Sequence, residues 1–222
     1  MRKHVLKLMM TALLMALVVP CVNAQDSKKD EKKDDKKVRV EVGYILCEGD
    51  TVVTPEAYDT LDIVAIGVVF DVDDSNEHGW AVSLEDAGLF TWGGYGEDTD
   101  LENYTRRGSA ADDLDGKKNT QTILELDDFY PAFSAVDFDN GWYLPAAGQL
   151  KRLYKNLKDV NSTLEEMGAE LVKPIGVTYW SSTEYSDIDA WYLTTIGGLE
   201  YSSDGYNDHK DGYRLVRSIR DF

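Results

Sequence analysis

The chain has 222 residues, 43% of them hydrophobic and 29% charged, with a formal net charge of −18. That length allows one domain of ordinary size plus short accessory segments and argues against two. So acidic a chain repels nucleic-acid phosphates and anionic membranes, which excludes nucleic acid as a partner and favours cations or basic partners.

Residues 1–24 read as a secretory signal: Arg2, Lys3 and Lys7 open it, residues 8–19 form an apolar core, and Val22-Asn23-Ala24 offers a small-residue cleavage site. The expected address is outside the cytoplasm, in the periplasm, at the cell surface or in the medium. Membrane attachment would require lipidation at Cys21, which Pro20 opposes by standing where lipoprotein processing wants a small residue. Residues 25–37 hold six lysines, five acids and nothing apolar, so they cannot bury surface to offset chain entropy and are expected to form a charged, disordered tether. Of the two cysteines, one leaves with the signal. Cys47 alone closes no disulfide within the chain, and the domain at 38–222 must rely on its core.

Val38, Val40, Val42, Tyr44 and Leu46 alternate with other residues in a period of two, which predicts a half-buried strand. Residues 62–70 are a continuous β-branched run expected in a central strand, with residues 79–84 as its hairpin partner. Thr120 is expected to cap a helix carrying Ile123, Leu126, Tyr130 and Phe133, kinked at Pro131. After the turn Asp139-Asn140-Gly141, Pro145 is placed to start a helix with Leu150, Leu153, Tyr154 and Leu157 on one stripe. Ser162-Thr163-Leu164-Glu165 has the capping-box pattern and predicts another short helix with Leu164, Met167 and Leu171 inward. Residues 191–196 and 199–201, joined by Gly197-Gly198, predict a tight hairpin. Residues 96–119 and 202–212 are expected to be long loops.

Four of these stretches together carry a resemblance. Asp139-Asn140-Gly141-Trp142-Tyr143-Leu144-Pro145, Tyr179-Trp180-Ser181-Ser182-Thr183-Glu184, Ala190-Trp191-Tyr192 and Tyr213-Arg214-Leu215-Val216-Arg217-Ser218-Ile219-Arg220 occur in the order Gly-Trp-x-Leu-Pro, Tyr-Trp-Ser-Ser-Thr-Glu, Ala-Trp, Val-Arg-x-Ile-Arg. In that order they resemble the C-terminal domain of bacterial collagen-like (Lcl-type) adhesins and many secreted proteins, a domain of unknown function. The resemblance implies a fold similar to C-type lectins and to the formylglycine-generating and sulfatase-modifying enzymes. That fold is α+β, a twisted antiparallel sheet with two or three helices and long loops, with the strands at 38–46 and 213–220 paired. The family pattern carries Ser or Thr after the proline and Glu at the reciprocal capping place. Ala146 and Gln149 stand there in this chain, which removes a cap worth about 1 kcal/mol.

No catalytic residue is expected. His4 belongs to the signal, and His78 and His209 lie in acidic turns without a nucleophile beside them. The hydroxyls of Ser181, Ser182 and Thr183 read as partners for backbone in an irregular strand. The oxidase branch of the fold superfamily needs two active-site cysteines, and only Cys47 remains. Residues 71–77 have a hard-cation composition without the spacing of an EF-hand loop, which leaves Asp71, Asp73, Asp204 and Asp208 as weak metal candidates and Ca²⁺ as the one cofactor they would suit. The resemblance puts Tyr206-Asn207-Asp208 where sugar-binding C-type lectins carry calcium ligands, although the partner Glu-Pro-Asn motif is missing. Trp80, Trp142, Trp180 and Trp191 fall in strand-like motifs where burial is expected. The glycines of Trp92-Gly93-Gly94-Tyr95-Gly96, by contrast, leave those rings uncovered. A binding surface is therefore expected on loops 92–107 and 201–212, at Trp92, Tyr95, Tyr201, Tyr206, Asn207 and Asp208. The function expected is a secreted, non-catalytic recognition or adhesion module for an envelope or extracellular glycan or protein. The alternatives are a structural component of a surface assembly and a hydrolase using an acidic pair.

Overall fold

The computed structural model describes residues 39–126, 129–173, 176–194 and 207–222. The signal, the tether, the turn of the expected 191–201 hairpin, and the candidates Tyr201, Asp204 and Tyr206 lie outside them, as do the side chains of Asn207 and Asp208. The described residues form an α+β fold of two sheets and six α-helices.

The first sheet has the order β2-β1-β3-β4-β11-β6, built from β1 (Ile45–Cys47), β2 (Thr51–Val53), β3 (Ala65–Val72), β4 (Gly79–Ser83), β6 (Trp142–Tyr143) and β11 (Ile219–Asp221). The second has the order β5-β10-β7-β8-β9, from β5 (Gly88–Thr91), β7 (Thr178–Glu184), β8 (Asp189–Thr194), β9 (Asn207–His209) and β10 (Tyr213–Val216). Pairing is antiparallel except between β10 and β7, which meet in parallel at Leu215 and Tyr179. The 62–70 run and its partner form the central β3–β4 hairpin, Val68 opposite Val82 and Val69 opposite Ala81.

The pairing expected between the first and last strands is not found. The segment 38–46 is extended as a strand only from Ile45, because Gly43, at φ +89, turns the chain before it. β1 then pairs with β2 and β3, while β11 is bonded to β4 and β6, with β3 and β4 standing between it and β1. Val40 is held instead by Asn76, whose carbonyl accepts its N–H at 3.0 Å and whose side-chain amide donates back at 3.1 Å.

The main core lies between the first sheet, the second sheet and the helices α5 (Ala147–Lys155) and α6 (Leu157–Met167). The expected stripe Leu150, Leu153, Tyr154 and Leu157 is buried there against Val68, Phe70, Val82 and Ile219. The period-two geometry of β7 sends Tyr179 into this core and Trp180 into a second one, with Trp92, Phe133 and Val216. The outer face of the first sheet carries a third, smaller cluster of Val40, Leu46, Val69 and Ala81.

Three helix boundaries differ from expectation for one reason: a polar side chain finds a partner across the fold. Thr120 lies inside α3 (Gly116–Leu124), and its hydroxyl accepts the Leu144 N–H at 3.1 Å. Thr163 lies inside α6, its hydroxyl donating to Gly43 O at 2.8 Å, so the capping-box pattern opens no helix. The helix after Pro145 breaks at Asn156, whose side-chain amide donates to Phe70 O at 2.8 Å. Pro131 stands at the first position of a separate short helix, α4 (Pro131–Ser134), rather than at a kink. Leu171 lies beyond α6 and is exposed. The segment 96–119, expected as loop, contains α2 (Arg107–Asp112) and the start of α3; the remaining helix is α1 (Pro55–Tyr58). No helix among the described residues is long and apolar enough to cross a membrane.

Candidate functional site

The described parts of the expected binding loops, 92–107 and 207–212, meet at one end of the second sheet, over a buried ion pair. Lys210, just past β9, and Glu184, at the end of β7, both have fully buried side chains, and the Lys210 ammonium is bonded to Glu184 Oε1. The same ammonium sits 4.7 Å from the centroid of the Trp92 ring and donates to Glu97 O at 3.3 Å. Glu184 Oε2 accepts from the Thr99 hydroxyl at 2.6 Å. Burial pushes the Glu184 carboxyl above the usual range, and the Lys210 and Thr99 hydrogen bonds oppose that rise. Backbone bonds complete the clamp: Trp92 N to Lys210 O at 2.9 Å, Gly96 N to Asp187 O at 3.0 Å and Tyr104 N to Glu184 O at 3.0 Å. The loop running from Trp92 to Tyr104 is thus fastened along its length.

Trp92 is not the exposed ring its flanking glycines suggested. It is fully buried, its indole N–H donating to Ser181 O at 2.8 Å and its ring packed edge-on against Phe133 at 4.8 Å. The glycines serve packing instead: a β-carbon on Gly94 would stand 2.3 Å from the Tyr130 ring, so their small size admits Tyr130 and does not uncover Trp92. Tyr95 is 51% exposed and meets the His209 ring edge-on, while His209 Nδ1 lies 3.0 Å from Asp189 Oδ1. Along the chain after Tyr95 the exposed side chains Glu97, Asp98, Asp100 and Glu102 precede the single exposed Arg106, and Asp187, bonded through its carbonyl to Gly96 N, is exposed too, so this loop is predominantly acidic.

The Ser181–Glu184 run is spent inside. Ser181 donates to Trp191 O at 2.8 Å, and Thr183 donates to Asp113 Oδ2 at 2.7 Å while accepting the Ala147 N–H at 2.8 Å. With the Gln149 carbonyl accepting the Ala146 N–H at 2.9 Å, the start of α5 recovers from strand β7 the cap that Ala146 cannot supply. The metal candidates in the described part are also engaged by protein. Asp71 pairs with Arg152 at 2.7 Å, and Asp73 caps its own turn by accepting from Ser75 and Glu77. Among the described residues no group of three or more His, Cys, Asp or Glu side chains is arranged to hold a metal.

A second concavity was not anticipated. A cleft of about 640 Å³ opens where the chain passes between the sheets, at 84–87 and at 217–218. Ser83 N donates to Ser218 O at 3.0 Å and Ala87 N to Val216 O at 2.8 Å, tying the two crossings together. Buried Arg217 fastens them from below, bonding Ser83 O at 3.0 Å, Asp86 Oδ1 at 3.2 Å and Glu170 O at 2.8 Å. On one side stands Trp142, half-buried, its ring edge 3.1 Å from where a β-carbon on Gly67 would be. The expectation for Trp142 and Trp92 is therefore inverted: Trp92 is buried, and Trp142, like Trp80, is left partly open. Gly67, isolated in an otherwise β-branched run, was the available signal of such a close approach.

The comparisons with known proteins bear on the fold. No protein-family model matches the chain, and no curated protein matches it in sequence. Among solved structures, a fimbrial protein from Bacteroides ovatus ATCC 8483 is similar, with a TM-score of 0.63 at 17% sequence identity. The match covers 82% of this chain and 49% of that one, so this chain spans about half the length of that protein.

Proposed function

We propose that this protein is an exported, non-catalytic recognition or adhesion module acting at the cell surface, and that its kinship lies with lectin-like adhesin domains. The observation that carries this reading is the likeness of fold to a fimbrial protein over most of the chain. The four sequence stretches that resemble the adhesin family converge in space, which supports the kinship: β6 pairs with β11, β7 with β8 and β10, and Ser182 N donates to Pro145 O at 2.9 Å. The loop end suits recognition because its acidic rim and Tyr95 are held by a buried framework, so a partner is bound without first ordering the loop.

A second reading, a structural subunit of a surface assembly, is favoured by the name of that neighbour, about half of whose chain the match covers. One experiment separates the two. The purified protein is offered to host-cell, bacterial-envelope and matrix surfaces, and its oligomeric state is measured in parallel. Saturable binding weakened by Tyr95→Ala together with Asp98→Asn and Asp187→Asn supports recognition at the loop end. Self-association into ordered polymers without surface binding supports assembly, and absence of both refutes the proposal.

A further inference from the structure

We infer that the cleft beside Trp142 is a binding site for a neutral saccharide, an assignment that rests on the recognition reading and adds to the loop end a second place with its own ligand class. The sheet face beneath it explains why the ring lies there. Gly67 is opposite Ser83, and Ala81 is opposite Arg220, which is opposite Trp142, so by alternation these side chains share the outer face of the first sheet. Gly67, Ala81 and Ser83 are small, and the indole of Trp142 reaches across the face toward β3. The edge of the ring meets the sheet at Gly67 while the residue stays partly open to the cleft.

The rest of the lining selects the ligand. Ile66 and Leu84 add apolar surface, Ser83 and Ser218 add hydroxyls, and Glu85 and Asp137 add exposed carboxylates. Asp137 is oriented by Asn140, whose amide donates to Oδ2 at 2.8 Å, and the Asp137 carbonyl accepts the Trp142 N–H at 3.1 Å. A flat ring with a few hydrogen-bonding groups around it suits a pyranose, which offers an apolar C–H face and equatorial hydroxyls that donate to carboxylates. Among the described residues no basic side chain lines the cleft, the Arg217 guanidinium being spent beneath it, so a phosphate or an acidic sugar would meet repulsion from Glu85 and Asp137. An extended peptide finds no free strand edge on the floor, because β3 and β4 are each bonded on both sides. The volume falls within the roughly 300–1,000 Å³ of small-molecule sites. Because the two crossings are tied to each other and to Arg217, the site is formed before ligand arrives.

The test is an array of neutral and acidic oligosaccharides probed with the intact protein, followed by titration of the best neutral binder with tryptophan fluorescence as readout. Trp142→Ala is expected to weaken binding by about tenfold or more. Since that substitution can also loosen the sheet, Ala87→Trp serves as the second variant: Ala87 is exposed on the cleft wall, and a bulky ring there fills the space without touching the core. It should abolish neutral-sugar binding at an unchanged melting temperature. Absence of neutral-sugar binding, binding confined to acidic sugars, or neutral-sugar binding indifferent to Ala87→Trp would overturn the assignment. If surface adhesion persists while sugar binding is absent, the cleft proposal falls and the recognition reading stands.

Discussion

Replacing Lys210 by methionine removes one half of a fully buried ion pair while keeping most of the side-chain volume. Three features set the magnitude: Glu184 is left uncompensated in the interior, the cation over Trp92 is lost, and Glu97 O loses a donor. Breaking a buried pair by removing one partner costs about 3–5 kcal/mol. At roughly 2–4 °C per kcal/mol for a chain of this size, the melting temperature should fall by about 6–20 °C. The double variant Lys210→Met with Glu184→Gln leaves no buried charge at this place, and the Gln carboxamide can still accept from Thr99. It should recover about 2 kcal/mol or more of that loss, a coupling that denaturant unfolding of the four-member cycle measures directly. The pH dependence has a definite sign. In the folded single variant Glu184 is raised above its unfolded value of about 4.3, so the folded state keeps a proton that the unfolded state releases as pH rises past that value. The deficit relative to the parent should therefore be smallest below about pH 4.3 and grow as pH climbs toward the folded value. A single variant within about 1 kcal/mol of the parent at pH 7, or a double variant no better than the sum of the singles, would refute the view that this pair holds the loop end together.

Trp92→Ala should destabilise by about 3–5 kcal/mol, the range for emptying a large buried ring site, whereas Tyr95→Ala should cost less than about 1 kcal/mol; equal effects on unfolding would contradict the placement of the two rings. Gly67→Ala puts a β-carbon 2.7 Å from Val82 O and 3.1 Å from the Trp142 ring, so a loss of about 1–3 kcal/mol and altered tryptophan emission are expected, and an unperturbed spectrum would count against the ring lying over β3. Burial raises the Cys47 thiol to about 11, so at pH 8 it should resist alkylation in the native protein and react fully once unfolded, and rapid native labelling would show the site to be open.

What could be read in the residues alone was what depends on neighbours close in sequence. The apolar stripe of α5 and the β3–β4 hairpin were legible because periods of 3.6 and 2 record which face of a local element is buried. Thr120 and Thr163 misled for the complementary reason. A threonine at the head of an apolar-periodic run, or inside a Ser-x-x-Glu pattern, reads as part of a helix start, and only the arrival of Leu144 and Gly43 from elsewhere in the fold makes each hydroxyl an interior tie.

The candidate site divides along the same line. The glycines around Trp92 announced a place where side chains are missing, and composition had no means of saying whether water or Tyr130 fills it. Lys210 lies in a run that reads as a solvated acidic turn, and Glu184 is 26 positions earlier. They share an interior because β9 is laid beside β8, which is paired with β7. The sequence by itself determined an α+β class and the buried faces of α5 and of the β3–β4 hairpin, since these follow from local periodicity. Tertiary structure alone decided which strands border β11, which charges are buried and which tryptophans are left partly open, because burial belongs to the assembled sheets and not to any segment of the chain.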